Sequence, residues 1–291
     1  MGIKAMSLAA LMALTSPALA FPVEPAMEQL ERTHAGVLGL IPRTPDEARR
    51  NAVSASILSL NYDRIANSGF PATGRYIIVN LPSFELQAWE NGRLVMTSPV
   101  VVGRKDTPTP LIVSNLTALK LNPDWTVPPT LTDRYLDRLR RGNIRYFRNR
   151  GIVVRGPHGR VPFKQVDPAN FRADGYRFWQ PPGDRNSLGL LKFELDNREA
   201  IYLHDTNDPK LYAESRRDRS AGCIRVQHYE DLAVWVSGLS REEIRAGIAT
   251  GRTRWKRVDP VPVHITYFTA LPDGAGQVWF YPDIYGLDRV S

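Results

Sequence analysis

Cys223 and His204 are the two residues of this sequence whose types and spacing could do covalent chemistry together. His204 ends an apolar run, and Cys223 follows nineteen residues later, after a polar and basic stretch. A thiolate is a strong nucleophile, and a nearby imidazolium lowers its pKa and relays protons. Gly222 lets backbone N–H groups approach a developing oxyanion closely. The pattern predicts a thiol–imidazole pair, with an inert buried thiol as the alternative.

The first twenty residues have the pattern of a secretory signal. Lys4 precedes a short apolar stretch, and small residues end the segment at Ala20, where we expect cleavage. The alternative is an N-terminal helix packed on the domain. No later run is long and apolar enough for a membrane helix, so we expect no transmembrane segment after cleavage. An oxidising compartment threatens a single thiol such as that of Cys223, so its presence needs a purpose.

A mainly β fold with peripheral helices must position the two residues. Residues 21–74 have a helical pattern, in which Thr44-Pro45-Asp46-Glu47 predicts a helix start. Strand patterns begin at Arg75, and Asn91-Gly92 predicts a hairpin because both residues tolerate positive φ. Further predicted elements are strands at 190–195 and 200–203, helices at 229–238 and 240–249, and a closing hairpin of 261–270 with 278–281.

Residues 122–190 interrupt the strand pattern. After a predicted helix at 131–141, this segment is basic and broken by glycine and proline. A long irregular excursion inside a compact domain is usually a lid, a binding loop or a disordered segment. Its many aromatic residues argue against disorder. We therefore expect a lid-like insertion here.

The composition excludes several classes of protein. Lysine and arginine number 38 against 30 aspartate and glutamate, a net charge of +8, which favours an anionic partner such as nucleic acid, an acidic envelope or anionic lipid. A single cysteine excludes a disulfide scaffold. Metal-ligand spacings, a dinucleotide fingerprint and a P-loop are absent from the sequence, so we predict no metal and no cofactor. The expected export and the lack of nucleic-acid-binding signatures in the sequence argue against nucleic acid as the anionic partner.

Several motifs together resemble the L,D-transpeptidases, the family with a YkuD-type catalytic domain. The central match is His204-Asp205-Thr206 followed by Ser220-Ala221-Gly222-Cys223-Ile224-Arg225. Other matches are Tyr76–Pro82 with Glu90–Gly92, Val102-Gly103 with Thr107–Pro110, Asn122–Pro129, Gln180–Gly183 with Leu188-Gly189, Lys192-Phe193, and Thr266–Phe268 with Asp283–Gly286. The resemblance covers roughly residues 75–288 and is similar to the larger Gram-negative subgroup, which has a capping insertion.

The resemblance implies a domain organisation and a location. Residues 75–290 would form a YkuD-like β-sandwich or mixed-sheet catalytic domain, with 122–190 as the capping insertion and 21–74 as a helical segment before it. The Gram-negative subgroup implies a periplasmic protein. Two departures stand out: many relatives carry histidine where Ala221 stands, and the chain has no room for a separate peptidoglycan-binding module.

The resemblance also implies roles for the residues of the central motif. Cys223 would be the nucleophile that forms a thioester, and His204 its general base and later the acid. The backbone carbonyl of Asp205 would orient the imidazole, and N–H groups near Gly222 and Cys223 would hold the oxyanion. Candidate substrate-binding residues are Arg225, Ser220, Thr206, Tyr202 and Trp125. For Arg225 a salt bridge is an equal alternative, for Ser220 a turn, and for the two aromatic residues core packing.

The activity implied is acyl transfer between stem peptides of peptidoglycan. The enzyme would cut the bond between diaminopimelate and D-alanine in a tetrapeptide stem and join the acyl group to a second diaminopimelate, forming a 3→3 cross-link. The same thioester could instead pass to an envelope-protein amine, a D-amino acid or water. A non-catalytic peptidoglycan-binding scaffold is the alternative from another class. The resemblance further implies acylation by carbapenems.

Overall fold

The computed structural model describes residues 23–273 and 275–289, which form two compact units. The first unit combines the described residues up to Asn115 with Lys210–Ile224 and with the chain from Val261 onward. The second unit combines Leu116–Pro209 with Arg225–Pro260. The predicted signal peptide, residues 1–20, lies outside the described residues.

Helices and strands alternate irregularly along the described residues. The helices are α1 (Val23–Leu38), α2 (Pro45–Ala66), α3 (Pro129–Arg140), α4 (Ile144–Asn149), α5 (Tyr229–Ser237) and α6 (Arg241–Ala249). The strands are β1 (Arg75–Asn80), β2 (Glu85–Glu90), β3 (Arg93–Gly103), β4 (Val113–Leu121), β5 (Trp125–Thr126), β6 (Val153–Gly156), β7 (Gly159–Val161), β8 (Arg177–Gln180), β9 (Leu191–Leu195), β10 (Leu203–His204), β11 (Asp218–Ser220), β12 (Ile224–Val226), β13 (Arg254–Thr266), β14 (Ala270–Pro272) and β15 (Val278–Phe280).

A mixed sheet forms the centre of the first unit. Strand β1 pairs antiparallel with β2 and parallel with the end of β13, while β3 pairs antiparallel with β2 and parallel with β11. Asn91 and Gly92, with φ of 50° and 75°, form the turn between β2 and β3, as their sequence predicts. This mixed sheet with flanking helices confirms the predicted fold class.

Helices α1 and α2 cover one side of this sheet. The α2 helix begins as its sequence predicts, because the Thr44 side chain accepts a hydrogen bond from the Glu47 N–H and Pro45 is the first helical residue. Leu58 and Ile65 are fully buried in a cluster with Tyr76 of β1. Burial of each such side chain contributes ~1.5–3 kcal/mol, so the helices are integral to this unit.

The C-terminal hairpin differs from its prediction. The sequence predicts a hairpin of 261–270 with 278–281, whereas β13 ends at Thr266 and the short β14 pairs with β15. The prediction of the first strand was wrong because Val263–Thr266 are paired with β1. Apolar alternation identifies a strand but does not identify its partner.

An antiparallel sheet and two helices support the second unit. Strand β9 pairs with β4 on one side and with β10 on the other. Helix α6 begins at a capping box, in which the Ser240 side chain accepts from the Glu243 N–H and the Glu243 carboxylate from the Ser240 N–H. Gly238, in the left-handed conformation, ends α5. Both helices match their predictions.

The segment 122–190 is more ordered than the sequence suggests. It contains α3, α4 and a four-stranded sheet in the order β5-β8-β6-β7. Phe147, Phe171 and Phe178 are almost completely buried at its centre, and the last two rings stack with their centroids 4.5 Å apart. The expectation of an irregular excursion was therefore wrong: aromatic residues spread over short elements supply a core of their own.

Candidate active site

The turn that carries Cys223 is closed by Ser220. This turn follows β11 in the first unit, and the Ser220 hydroxyl donates to the Cys223 carbonyl at 2.6 Å. The same hydroxyl oxygen accepts from the Gly222 N–H at 3.1 Å. Gly222 has a φ of 122°, a conformation that side chains with a Cβ rarely adopt. Ser220 is buried, so the structure gives it the turn-forming role that the sequence left open.

The loop that follows β3 stabilises the Cys223 turn. The Thr109 hydroxyl donates to the Gly222 carbonyl at 2.6 Å and accepts from the Gly103 N–H at 2.9 Å. Thr107 Oγ1 lies 3.3 Å from the Ser220 carbonyl, to which it donates. A Cβ on Gly103 would lie 2.3 Å from the Thr107 carbonyl oxygen, so only glycine fits there. The sequence matched these residues to the family but gave them no role.

Cys223 is half-buried. An inert thiol packed in hydrocarbon, the alternative from the sequence, would be fully buried. The backbone on both sides of it is fixed by the hydrogen bonds of Ser220 and Thr109. A thiol on a turn whose backbone is fixed in this way is a candidate for covalent catalysis.

His204 ends β10 in the second unit and is almost completely buried. Its Nδ1 lies 2.5 Å from the backbone carbonyl oxygen of Asp205. A carbonyl oxygen only accepts hydrogen bonds, so Nδ1 carries the proton of the neutral ring and Nε2 keeps its lone pair. A neutral imidazole in this tautomer can act as a general base through Nε2.

The imidazole of His204 stays neutral because its surroundings disfavour the charged form. Burial, followed by the positive charge of Arg225, lowers the pKa of His204 to about 3, and Lys192 adds to this effect. The carbonyl groups of Asp205 and Leu188 act in the opposite direction. Desolvation therefore outweighs the favourable hydrogen bonds of the ring.

The side chain of Asp205 fixes the loop that passes next to His204. Its Oδ2 accepts from the Leu190 N–H at 2.9 Å. Gly189, with a φ of 65°, lies so close that a Cβ there would be 2.2 Å from Oδ2. Burial raises the pKa of the Asp205 carboxyl, against the lowering effect of its backbone hydrogen bonds. Sequence analysis missed this role, and the only available signal was a glycine directly before a strand.

Arg225 and Thr206 interact with each other in the second unit. Arg225 Nη1 donates to Thr206 Oγ1 at 3.2 Å, and the Asp208 N–H donates to the same oxygen at 3.1 Å. Thr206 is buried and Arg225 is half-buried. Since the charge of Arg225 lowers the pKa of His204, Arg225 lies within electrostatic reach of the ring.

The two aromatic candidates have different surroundings. The ring centroid of Tyr202 lies 5.7 Å from that of His204, and Lys192 Nζ lies 3.9 Å from the centre of the Tyr202 ring. Trp125 is buried in the aromatic core of the insertion, with its ring 6.4 Å from that of Tyr135. Trp125 therefore has the core-packing role that the sequence gave as the alternative to substrate binding.

The structure thus distributes the predicted residues over both units. His204, Asp205, Thr206, Arg225 and Tyr202 belong to the second unit, and Ser220, Gly222 and Cys223 belong to the first. Within residues 23–273 and 275–289, the His, Cys, Asp and Glu side chains form no group of three that could hold a metal ion. In the same ranges, none of the helices combines the length and the apolar character needed to cross a bilayer.

Comparison with known proteins assigns the family. The YkuD family model, the L,D-transpeptidase catalytic domain, matches residues 74–265. The chain belongs to this family. This membership confirms the resemblance inferred from the motifs.

Individual L,D-transpeptidases are only distantly similar to this chain. A putative L,D-transpeptidase of Haemophilus influenzae is 32% identical over 223 residues, which cover 73% of this chain and 44% of the relative, so the chain matches less than half of that protein's length. An L,D-transpeptidase structure from Mycobacterium smegmatis is 11% identical, with a TM-score of 0.33 and 67% and 59% coverage of this chain and that chain. L,D-transpeptidase 3 from Mycobacterium tuberculosis with a faropenem-derived adduct is 15% identical, with a TM-score of 0.32 and 66% and 60% coverage.

Proposed function

We propose that this protein is a periplasmic L,D-transpeptidase that forms 3→3 cross-links in peptidoglycan through a Cys223 thioester. The observation that carries the proposal is the chain's only cysteine, half-buried on a rigid turn in a domain of this family. A thioester keeps the acyl group reactive enough for an amine to accept it without ATP, which suits an exported enzyme.

In the first half-reaction, Nε2 of His204 takes the Cys223 proton as the sulfur attacks the carbonyl between diaminopimelate and D-alanine. The carbon–nitrogen bond then breaks, and the imidazolium returns the proton to the departing amine. In the second half-reaction, the side-chain amine of another diaminopimelate attacks the thioester and its proton passes through His204 to the thiolate. The neutral ring of His204 and its protonated Nδ1 support this assignment.

The backbone N–H groups of the Cys223 turn are the proposed oxyanion donors. The Gly222 N–H already donates to Ser220 Oγ, so an oxyanion must share or replace that partner. Arg225, Thr206 and Tyr202 remain the proposed substrate contacts, because Tyr202 lies beside His204 and the charge of Arg225, which binds Thr206, acts on that ring. Ser220 and Trp125 contribute through the turn and the core instead.

The proposal includes the predicted domain organisation. Residues 1–20 would be a signal peptide cleaved after Ala20, 21–74 a helical segment and 75–290 the catalytic domain. Residues 122–190 would act as a lid that keeps water from the thioester. Sequencing the N-terminus of the exported protein checks the cleavage site.

Product analysis tests the proposed reaction. We expect mature protein incubated with tetrapeptide muropeptides to give 3→3 dimers and D-alanine, as measured by mass spectrometry, and Cys223→Ala to give neither. A carbapenem should add its mass to the wild-type protein and leave Cys223→Ala unmodified. Tripeptides or protein conjugates without dimers would instead identify water or a protein amine as the acceptor. A Cys223→Ala variant with full activity would contradict the thioester itself and favour a non-catalytic scaffold.

A further inference from the structure

The positive charge of the chain is concentrated in residues 122–190. This segment carries thirteen basic and six acidic residues, a net charge of +7. The rest of the chain carries 25 basic and 24 acidic residues. Since a localised charge attracts an anionic partner to one place, the insertion is where such a partner would bind.

A cleft of about 1100 Å³ lies within this insertion. Six basic side chains line it against one acidic side chain, that of Asp184. They are Arg140, Arg148, Arg150, Arg160, Lys164 and Arg185. In the described part of the chain, Arg140 is the only one of the six with an ion pair, to Asp137 at 2.8 Å. The other five cationic residues are exposed, although Arg185 Nη1 also donates to the Arg148 carbonyl at 3.3 Å.

Buried amide side chains build one wall of the cleft in advance. Gln180, only 1% exposed, donates from Nε2 to the carbonyls of Arg150 and Arg185 at 2.6 and 2.9 Å. Asn186, equally buried, donates to the carbonyls of Pro123 and Pro181. The guanidinium of Arg150 stacks on Tyr146, with its carbon 4.1 Å from the ring centre. Preorganisation of this kind lowers the entropic cost of binding.

The lining indicates a peptide with carboxylates. Ile144, Phe163 and Val166 add apolar surface to the cationic lining. Single-stranded nucleic acid needs several aromatic rings for base stacking, and Phe163 is the only aromatic residue in the lining. Guanidinium groups form strong hydrogen bonds to carboxylates, and the apolar side chains of the lining can contact the alkyl groups of a peptide.

We infer that this cleft, the insertion cleft, is a docking site for carboxylate-bearing stem peptides of the peptidoglycan strand other than the stem that reacts. The inference rests on the proposed function and extends it. Several weak contacts along one polymer raise the local concentration of reactive stems. The insertion would then hold the wall while the catalytic residues act on one stem.

Co-sedimentation with insoluble peptidoglycan tests the insertion cleft. The full-length mature protein carrying Cys223→Ala binds without turnover, and Arg148→Gln, Arg160→Gln and Lys164→Gln are added to it. We expect this triple change to weaken binding about tenfold, since each lost charge contact weakens binding roughly twofold. It should also flatten the loss of binding between about 50 and 300 mM NaCl. The matched control, Arg49→Gln, Arg50→Gln and Arg93→Gln, removes the same charge from exposed positions of the first unit and should bind within about twofold of the parent.

The outcomes separate this inference from the proposed function. Equal binding by the triple variant, or equal loss in the control, would overturn the docking site. Peptidoglycan whose carboxyl groups are converted to neutral amides should bind poorly; unchanged binding to it, together with competition by polyphosphate, would assign the cleft to phosphate and overturn the inference as well. Transfer from a small soluble tetrapeptide, measured with Cys223 intact, should be unchanged by the triple change. Failure of the wild-type protein in that assay would count against the proposed function alone.

Discussion

The tautomer and the charge state of the His204 imidazole are determined by the groups that lie next to it in the fold. The carbonyl of Asp205 fixes the tautomer, and burial with nearby positive charge keeps the ring neutral. The next side chain along, the Asp205 carboxylate, fastens the loop at Leu190. At the residue scale, two adjacent residues, His204 and Asp205, therefore provide the proposed base and the groups that position it.

The Asp205 side chain can be tested separately from its backbone carbonyl. We expect Asp205→Asn to keep catalytic efficiency within about threefold, because the amide oxygen can still accept from the Leu190 N–H. Asp205→Ala should lose about tenfold, because an orphaned buried donor costs ~1–3 kcal/mol and the loop loosens. The measurement is transfer kinetics at neutral pH. Equal activity of the alanine variant would show that the carboxylate plays no positioning role.

The low pKa of His204 predicts a specific acid sensitivity of folding. The unfolded chain protonates this ring near pH 6.5, whereas the folded protein does so only at about 3. Protons therefore favour the unfolded chain, and the free energy of unfolding falls as the pH drops through this window. Between pH 7 and 5 the wild type should lose ~2 kcal/mol more than His204→Gln.

Urea denaturation at the two pH values measures this difference. The His204→Gln variant keeps every other titrating group, including the buried His264, so their contributions cancel in the comparison. Parallel losses in both proteins would mean that His204 titrates in the folded state as an ordinary histidine does.

At the scale of elements, the loop after β3 supports the Cys223 turn. Thr109 connects the two through bonds to the Gly103 N–H and the Gly222 carbonyl. Strands β3 and β11 also pair in parallel beside it. The Cys223 turn is thus held by contacts between segments that are far apart in sequence.

Thr109→Val should disturb the Cys223 turn without changing the shape of the side chain. We expect a loss of ~1–3 kcal/mol in the free energy of unfolding, because two buried backbone groups lose their partner. The rate of carbapenem acylation should fall with it. Thr109→Ser, which keeps the hydroxyl, is the matched control and should retain both. A stable, fully reactive valine variant would show that the turn does not need this support.

Sequence patterns predicted those elements that local chemistry specifies. Asn91-Gly92 and the capping box at Ser240 determine their turns by themselves, and both occur as predicted. The partner of β13 and the core of the insertion depend on contacts between residues distant in sequence, so no local pattern contained them. The same division applies to the site: the motif indicated Cys223 and His204, whereas the supporting role of Thr109 emerged only in the fold.

At the scale of the whole molecule, the excess positive charge and the residues of the central motif lie in different segments of the chain. The insertion contributes +7 of the net charge of +8, while the motif residues lie outside it. The remainder of the chain is nearly neutral, which limits unspecific attraction to other anions. A substitution that removes charge therefore has different consequences inside and outside residues 122–190.

The hydrogen bond from His204 Nδ1 to the Asp205 carbonyl leaves only Nε2 of the ring to exchange protons with a substrate. In the proposed reaction, that nitrogen must serve the departing D-alanine and the arriving amine in turn. Both amines consequently exchange a proton with the same nitrogen, so D-alanine has to leave before the second amine can react. One backbone oxygen would thereby impose a strict order, release before capture, on the entire catalytic cycle.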